Sequence, residues 1–117
     1  MSVRRIVPNI NSADPSAAKP FYEGVLGLET AMDMGWIITF ASPSNPMAQV
    51  SVVASDTRTE PHPDISVEVA DVDACHAAAQ RQGYSIVYPL TDEPWGVRRF
   101  FVRDPHGLIV NVVSHKG

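Results

Sequence analysis

Asn9, Ser51, Ser66 and Asn111 are neutral hydrogen-bonding residues set among Val and Ile in runs of alternating polarity. An amide or hydroxyl offers an organic molecule a donor and an acceptor, but it is a weak ligand for a divalent cation. Gln49 shares parity with Ser51, and Asp64 and Glu68 share parity with Ser66, so in strands each set lines one face. Asp64 and Glu68 therefore offer a carboxylate general base, although strand carboxylates at this spacing more often face water. Trp36 follows Gly35 and Trp95 precedes Gly96. An indole in either place can close a pocket and stack on a flat ligand. For Trp36, a core or interface position accounts for the ring equally well. Arg98 and Arg99 are adjacent and point to opposite faces. Parity with Trp95 and Phe101 assigns Arg99 to their face, where a guanidinium can meet an anionic group, and leaves Arg98 to solvent.

Other chemistries find little support. His62 lies in a polar stretch, His76 within a helical pattern, His106 in a turn and His115 near the end of the last run; each reads as a surface histidine, and none has a partner at a metal-binding spacing. Gly24 and Gly27 stand at a helix end, not at the start of a helix where a phosphate loop would be. No nucleophile elbow is present. The single cysteine, Cys75, cannot form an internal disulfide and reads as a small helical hydrophobe.

The elements that must position these residues repeat in order. Residues 3–10 read as a strand with Ile6 and Ile10 on one face and Arg5, Val7 and Asn9 on the other. Asp14-Pro15 starts a helix, an N-cap followed by Pro at the first position. Ala18, Phe21, Tyr22, Val25 and Leu26 continue it at helical spacing to a stop at Gly27, and Pro20 predicts a loose first turn or a kink. Three strands follow, at Glu29–Asp33, 36–41 and 48–54. Residues 55–63, polar and Pro-containing, read as a linker. The order then recurs: a strand at 64–69, a helix capped by Asp71 and running to Gly83, and strands at 85–88, Val97–Arg103 and 108–114. Asp14 and Asp71 are 57 residues apart, about half of the 117-residue chain. In the first, fourth, fifth and eighth strands the face toward the helix is apolar (Ile6, Ile10, Val50, Val52, Ile65, Val67, Val69, Leu108, Val110, Val112). The opposite face is mixed and meets either solvent or a ligand.

This length is one domain by size and supports a core without staples. A net charge of −4 and a pI near 5.4 argue against nucleic acid or an anionic membrane as partner. The run Met1-Ser-Val-Arg-Arg-Ile-Val-Pro lacks the apolar core of a signal peptide, and no apolar run approaches a membrane span. The expectation is a soluble, cytoplasmic protein.

Two segments resemble a known family. Asp104-Pro105-His106-Gly107 is a turn between β-rich runs, entered through Trp95-Gly96 and a Phe-rich strand and left by an apolar strand. Phe21-Tyr22-Glu23-Gly24-Val25-Leu26-Gly27 is similar to a Phe-Tyr-x-x-Val-Leu-Gly segment at the end of a first helix. Together they resemble the vicinal oxygen chelate superfamily of glyoxalases, bleomycin-resistance proteins and extradiol dioxygenases. The resemblance implies an α+β fold in which two βαβββ modules, about 1–55 and 64–117, form a half-open barrel around a pocket. Metal enzymes of that superfamily carry His and Glu at four inward points, which fall here near Val7, Ser51, Asp64 and Asn111. That set is too poor in strong donors for a catalytic metal. The expectation is therefore a protein with no metal and no cofactor. It would sequester a small, partly apolar or aromatic molecule, as bleomycin-resistance proteins sequester an antibiotic, through Asn9, Trp36, Gln49, Ser51, Asp64, Ser66, Trp95, Arg99 and Asn111. The resemblance also implies a homodimer. The alternative is a lyase, isomerase or dioxygenase with a degenerate or shifted metal site using Asp64, Glu68 or His115.

Overall fold

Eight strands and two short helices appear in the computed structural model, which describes residues 2–54 and 62–116. The strands are β1 (Val3–Asn11), β2 (Glu29–Asp33), β3 (Ile37–Ala41), β4 (Gln49–Val53), β5 (Ile65–Val69), β6 (Ile86–Glu93), β7 (Val97–Arg103) and β8 (Ile109–His115). The helices are α1 (Lys19–Gly24), entered through a 3-10 turn at Pro15–Ala18, and α2 (Val72–Arg81). The order is thus βαβββ twice, as the sequence predicts. Most of the expected linker lies outside the described residues.

The chain separates into two compact units. One, Val7–His62, has strand order β2-β3-β4-β1, with β2, β3 and β4 antiparallel and β1 parallel to β4. The other comprises Met1–Ile6 and Pro63–Gly117 and orders its strands β6-β7-β8-β5, again an antiparallel meander with a parallel final pair. The first residues of β1 belong to this second unit. The Ser2 carbonyl accepts from the Ala70 N–H at 2.9 Å, and Arg5 pairs with Glu68. The registers also correspond: Asn9 stands opposite Ser51, and Ser66, 57 residues after Asn9, stands opposite Asn111.

Helix α2 forms as the sequence dictates. The Asp71 carboxylate accepts from the Ala74 N–H at 3.0 Å, and Gly83 (φ +79°) ends the helix while the Tyr84 N–H reaches back to the Ala79 carbonyl at 3.0 Å. Cys75 and Ala79 of this helix pack, with Val67, Val102 and Val110, against buried Val69, Val72, Phe100 and Val112. Helix α1 differs from expectation. It ends at Gly24 and leaves Phe21, Val25 and Leu26 exposed, so only Ala18, Tyr22 and Leu28 pack on Ile38, Phe40 and Val52. Two causes act together. Pro20 removes a donor near the start, where the chain runs as 3-10. At the other end Gly27 (φ +71°) turns Leu28 back so that its N–H meets the Tyr22 carbonyl at 3.0 Å. Asp14 occupies the cap position without capping; its carboxylate accepts from the Ser16 hydroxyl at 2.7 Å instead.

Three further expectations are corrected. Ile6 and Ile10 are exposed, and Val7 on the opposite parity is buried. Leu108 is likewise exposed, because β8 begins one residue later. The sixth strand does not stop before Pro89; it runs on to Glu93. Pro89 is tolerated because β6 is an edge strand whose register slips between Tyr88 and Thr91. The closing turn forms as predicted. The Asp104 carboxylate accepts from the N–H groups of His106 and Leu108 at 2.8 and 2.9 Å, and Gly107 takes φ +85°.

Candidate functional site

In the unit built from β6, β7, β8 and β5, period two and strand pairing define one face opposite α2. Arg99 and Phe101 of β7 stand across from Val113 and Asn111 of β8; Asn111 and Val113 stand across from Ser66 and Glu68 of β5; Tyr88 and Thr91 of β6 stand across from Phe101 and Arg99. Solvent does not cover the middle of this face. Val97, Arg99, Phe101, Ile109, Asn111 and Val113 are all buried, which overturns the solvent reading for β8.

Arg99 is the chemically distinctive group. Its Nε donates to Glu93 Oε2 at 2.7 Å, and both side chains are less than a tenth exposed. The same oxygen accepts from the Tyr88 hydroxyl at 2.9 Å. The Arg99 guanidinium carbon lies 5.0 Å from the Trp95 and Phe101 ring centroids and 5.4 Å from that of Tyr88, within cation–π range of all three. Its Nη2 is buried with no hydrogen-bond partner. Sequence reasoning missed Glu93, because its pairing depends on β6 continuing past Pro89. The available signal was the alternation of Thr91 and Glu93 after the proline, which matches the parity of Arg99 across the hairpin.

Asn111 donates from Nδ2 to the Ser66 hydroxyl at 3.0 Å, and its Oδ1 is buried without a partner. Asp64 is committed elsewhere: its carboxylate accepts from the Ile109 N–H at 2.9 Å at the entry of β8. At the far end of this face Glu68 pairs with Arg5 and lies 2.8 Å from His115 Nδ1. Burial raises the Glu68 carboxyl, but the hydrogen bond from His115 and the charges of Arg5 and His115 outweigh it, so it titrates below its ordinary value. His115 is exposed, as expected of a surface histidine, and has Glu68 as its partner; His76 is half-buried and packs edge-on against Phe100 at 4.9 Å, so it is not a plain surface histidine. Arg98 points away from Arg99, as parity requires, and pairs with Asp73 and Asp92.

In the Val7–His62 unit, the Ser51 hydroxyl is buried and hydrogen-bonds Thr39 at 2.7 Å, while Gln49 Nε2 donates to the Pro46 carbonyl at 2.8 Å. Asn9 is half-buried opposite Ser51, and Trp36 is half-buried just before β3, its carbonyl accepting from the Ala54 N–H at 2.7 Å. The structure thus brings together Ser66, Asn111, Arg99 and Trp95 in one unit and Asn9 and Ser51 in the other.

The cross-strand partners of Ser51 and Asn111 are Asn9 and Ser66, two positions along from Val7 and Asp64. In either register the four residues offer at most one carboxylate. Among the described residues no three His, Cys, Asp or Glu side chains converge on a point that could hold a metal ion. The donor set does not fit the divalent cation of the metal enzymes.

Comparison with known proteins agrees with this architecture. Residues 4–112 match the Glyoxalase/Bleomycin resistance protein/Dioxygenase superfamily. The chain belongs to that superfamily. No curated protein matches it in sequence. Among solved structures, the chain is similar to an NAD-dependent benzaldehyde dehydrogenase from Legionella pneumophila (TM-score 0.76, 18% identity, 95% of this chain and 99% of that one). It is similar as well to a superfamily member from Vibrio splendidus 12B01 (TM-score 0.72, 16% identity, 97% and 99%). A third is a single-residue variant of the Streptomyces coelicolor methylmalonyl-CoA epimerase in complex with 2-nitronate-propionyl-CoA (TM-score 0.73, 19% identity, 99% and 100%). At these identities the likeness concerns the fold. Among the described residues no helix is long and apolar enough to cross a membrane.

Proposed function

We propose that this chain binds a small, partly apolar or aromatic organic molecule without a metal, as an antibiotic-sequestering protein would. One observation carries the reading. Arg99 Nη2 and Asn111 Oδ1, from adjacent strands and the same face, are both buried without partners; the Arg99 guanidinium lies against the rings of Tyr88, Trp95 and Phe101, and Asn111 stands across from Phe101. Buried polar atoms are nearly always satisfied, so an unpaired donor and acceptor next to flat apolar surface mark a place where a guest completes the hydrogen bonding. Binding needs shape and hydrogen bonds but no activated water. The net charge of −4 suits a cationic guest at long range. Thermal-shift screening against aromatic antibiotics and metabolites tests the reading. A compound that raises the melting temperature of the wild type but not of Trp95→Ala is the expected result, and a uniformly silent aromatic panel would defeat it.

The enzyme reading has one observation in its favour, the 2.8 Å contact between Glu68 and His115 beside Arg5. Elemental analysis of untagged protein separates the two. Stoichiometric transition metal that is lost on Glu68→Ala or Asp64→Ala would defeat the metal-free binding reading. The proposal includes a homodimer in the cytoplasm. Exposed Ile6 and Ile10 supply apolar surface for a second copy, and a lone cysteine suits a reducing compartment. Light scattering should give twice the monomer mass.

A further inference from the structure

Resting on that binding reading, we infer that the guest is a neutral molecule presenting a carbonyl and an N–H side by side, a carboxamide or lactam, and that Glu93 is the residue that selects against carboxylates. The buried cation of Arg99 is already answered by Glu93 at 2.7 Å, and the pair is neutral as a unit. What remains is the NH2 group at Arg99 Nη2, a donor, and the acceptor Asn111 Oδ1. A carboxylate offers acceptors only. It would satisfy Nη2 but set a second negative charge beside Glu93 and face Asn111 Oδ1 with another lone pair, a cost that rises as water is excluded. An amide is chemically complementary to both atoms, which belong to diagonal neighbours on one face of β7 and β8: its carbonyl can accept from Arg99 and its N–H can donate to Asn111. Both protein atoms are out of contact with solvent, and Trp95 lies against Arg99 at the β6–β7 turn, beside Gly96 at φ +90°. A guest therefore reaches them by displacing the indole, which then stacks on its ring.

The test uses three compounds with one ring system: naphthamide, N,N-dimethylnaphthamide and naphthoate. Binding to the intact protein is followed by calorimetry and by tryptophan fluorescence. The amide should bind at least about tenfold more tightly than either analogue, the effect of one buried hydrogen bond left unmade. In Asn111→Leu the difference between the amide and its dimethyl form should vanish. In Glu93→Gln, where Arg99 keeps an unanswered charge, the preference should invert toward naphthoate. Should Glu93→Gln fail to fold, the wild-type ranking and Asn111→Leu still decide. If naphthoate or the dimethyl amide equals the amide on wild type, the inference is overturned while the binding reading stands. If none of the three binds but other aromatics do, the inference again falls alone. Silence from every aromatic compound overturns both.

Discussion

A guanidinium with almost no exposure is tolerated only when its charge is answered, and for Arg99 the answer comes from Glu93, itself held by Tyr88. Removing one partner of a buried pair strands the other. Arg99→Ala should therefore lower unfolding stability by about 3–5 kcal/mol in urea titration, whereas Arg99→Met, which keeps the stem among the three rings and leaves only a carboxylate to be protonated, should cost less. Arg98→Ala, one position away, removes only exposed pairs with Asp73 and Asp92, and its urea midpoint should stay near wild type. Equal effects at 98 and 99 would show that burial does not distinguish the two arginines. Residue chemistry also leaves little for a metal. The hydroxyls at 51 and 66 and the Asn111 amide nitrogen are taken up by Thr39 and by each other, Asp64 spends its carboxylate on a backbone N–H, and the neutral Asn111 Oδ1 is the one buried side-chain oxygen left over among these four residues, too weak a donor to hold a divalent cation.

At the scale of elements, the two helices are unequal products of similar signals. Asp71 caps α2 with a 3.0 Å hydrogen bond to Ala74, while Asp14 turns to Ser16 and caps nothing. Asp71→Ala should lose about 1 kcal/mol and Asp14→Ala less than about 0.5 kcal/mol, read from denaturation midpoints. Matched losses would mean that Asp14 caps in solution. The sequence carried part of the difference in Pro20, which predicts a loose first turn and stands where the chain enters α1 from a 3-10 turn. The length of β6 was not legible in the same way. Proline argues against a strand interior, and only knowledge that β6 lies at an edge, with a register slip, reverses the argument. Glu93 became part of the site through that edge.

For the molecule as a whole, acid should loosen the fold through its paired carboxylates. Glu68 titrates below its ordinary value of 4.5 in the folded state. A depressed folded pKa means that the unfolded chain takes up the proton first. Its contribution is therefore complete above that ordinary value and is lost as pH falls through the folded one. Asp33, Asp73 and Asp92 are displaced in the same direction, by hydrogen bonds from the Gly35 N–H, Arg98 and Lys116 respectively. Urea midpoints recorded from about pH 7 down to about pH 3 should fall for the wild type and fall less steeply for Glu68→Gln. Parallel curves for the two proteins would show that the contacts with Arg5 and His115 do not persist in solution. Whether Ile6 and Ile10, exposed along β1, meet a second copy belongs to this scale as well.

Local events were readable from neighbouring residues. Alternation of Val with polar residues made strands, Asp71 and Gly83 bounded a helix, Asp104-Pro105-His106-Gly107 closed a hairpin, and adjacency sent Arg98 and Arg99 to opposite faces. Each depends on a few neighbouring residues and on fixed periods of 3.6 and 2. What tertiary structure alone decided was burial and partnership. It set which parity of β1 is covered, whether the mixed face of β8 meets solvent, and that Glu93 answers Arg99 while one nitrogen and one oxygen are left unanswered. Those depend on which strands lie side by side, and side-by-side placement is settled by packing across each unit, which no short stretch of chain encodes.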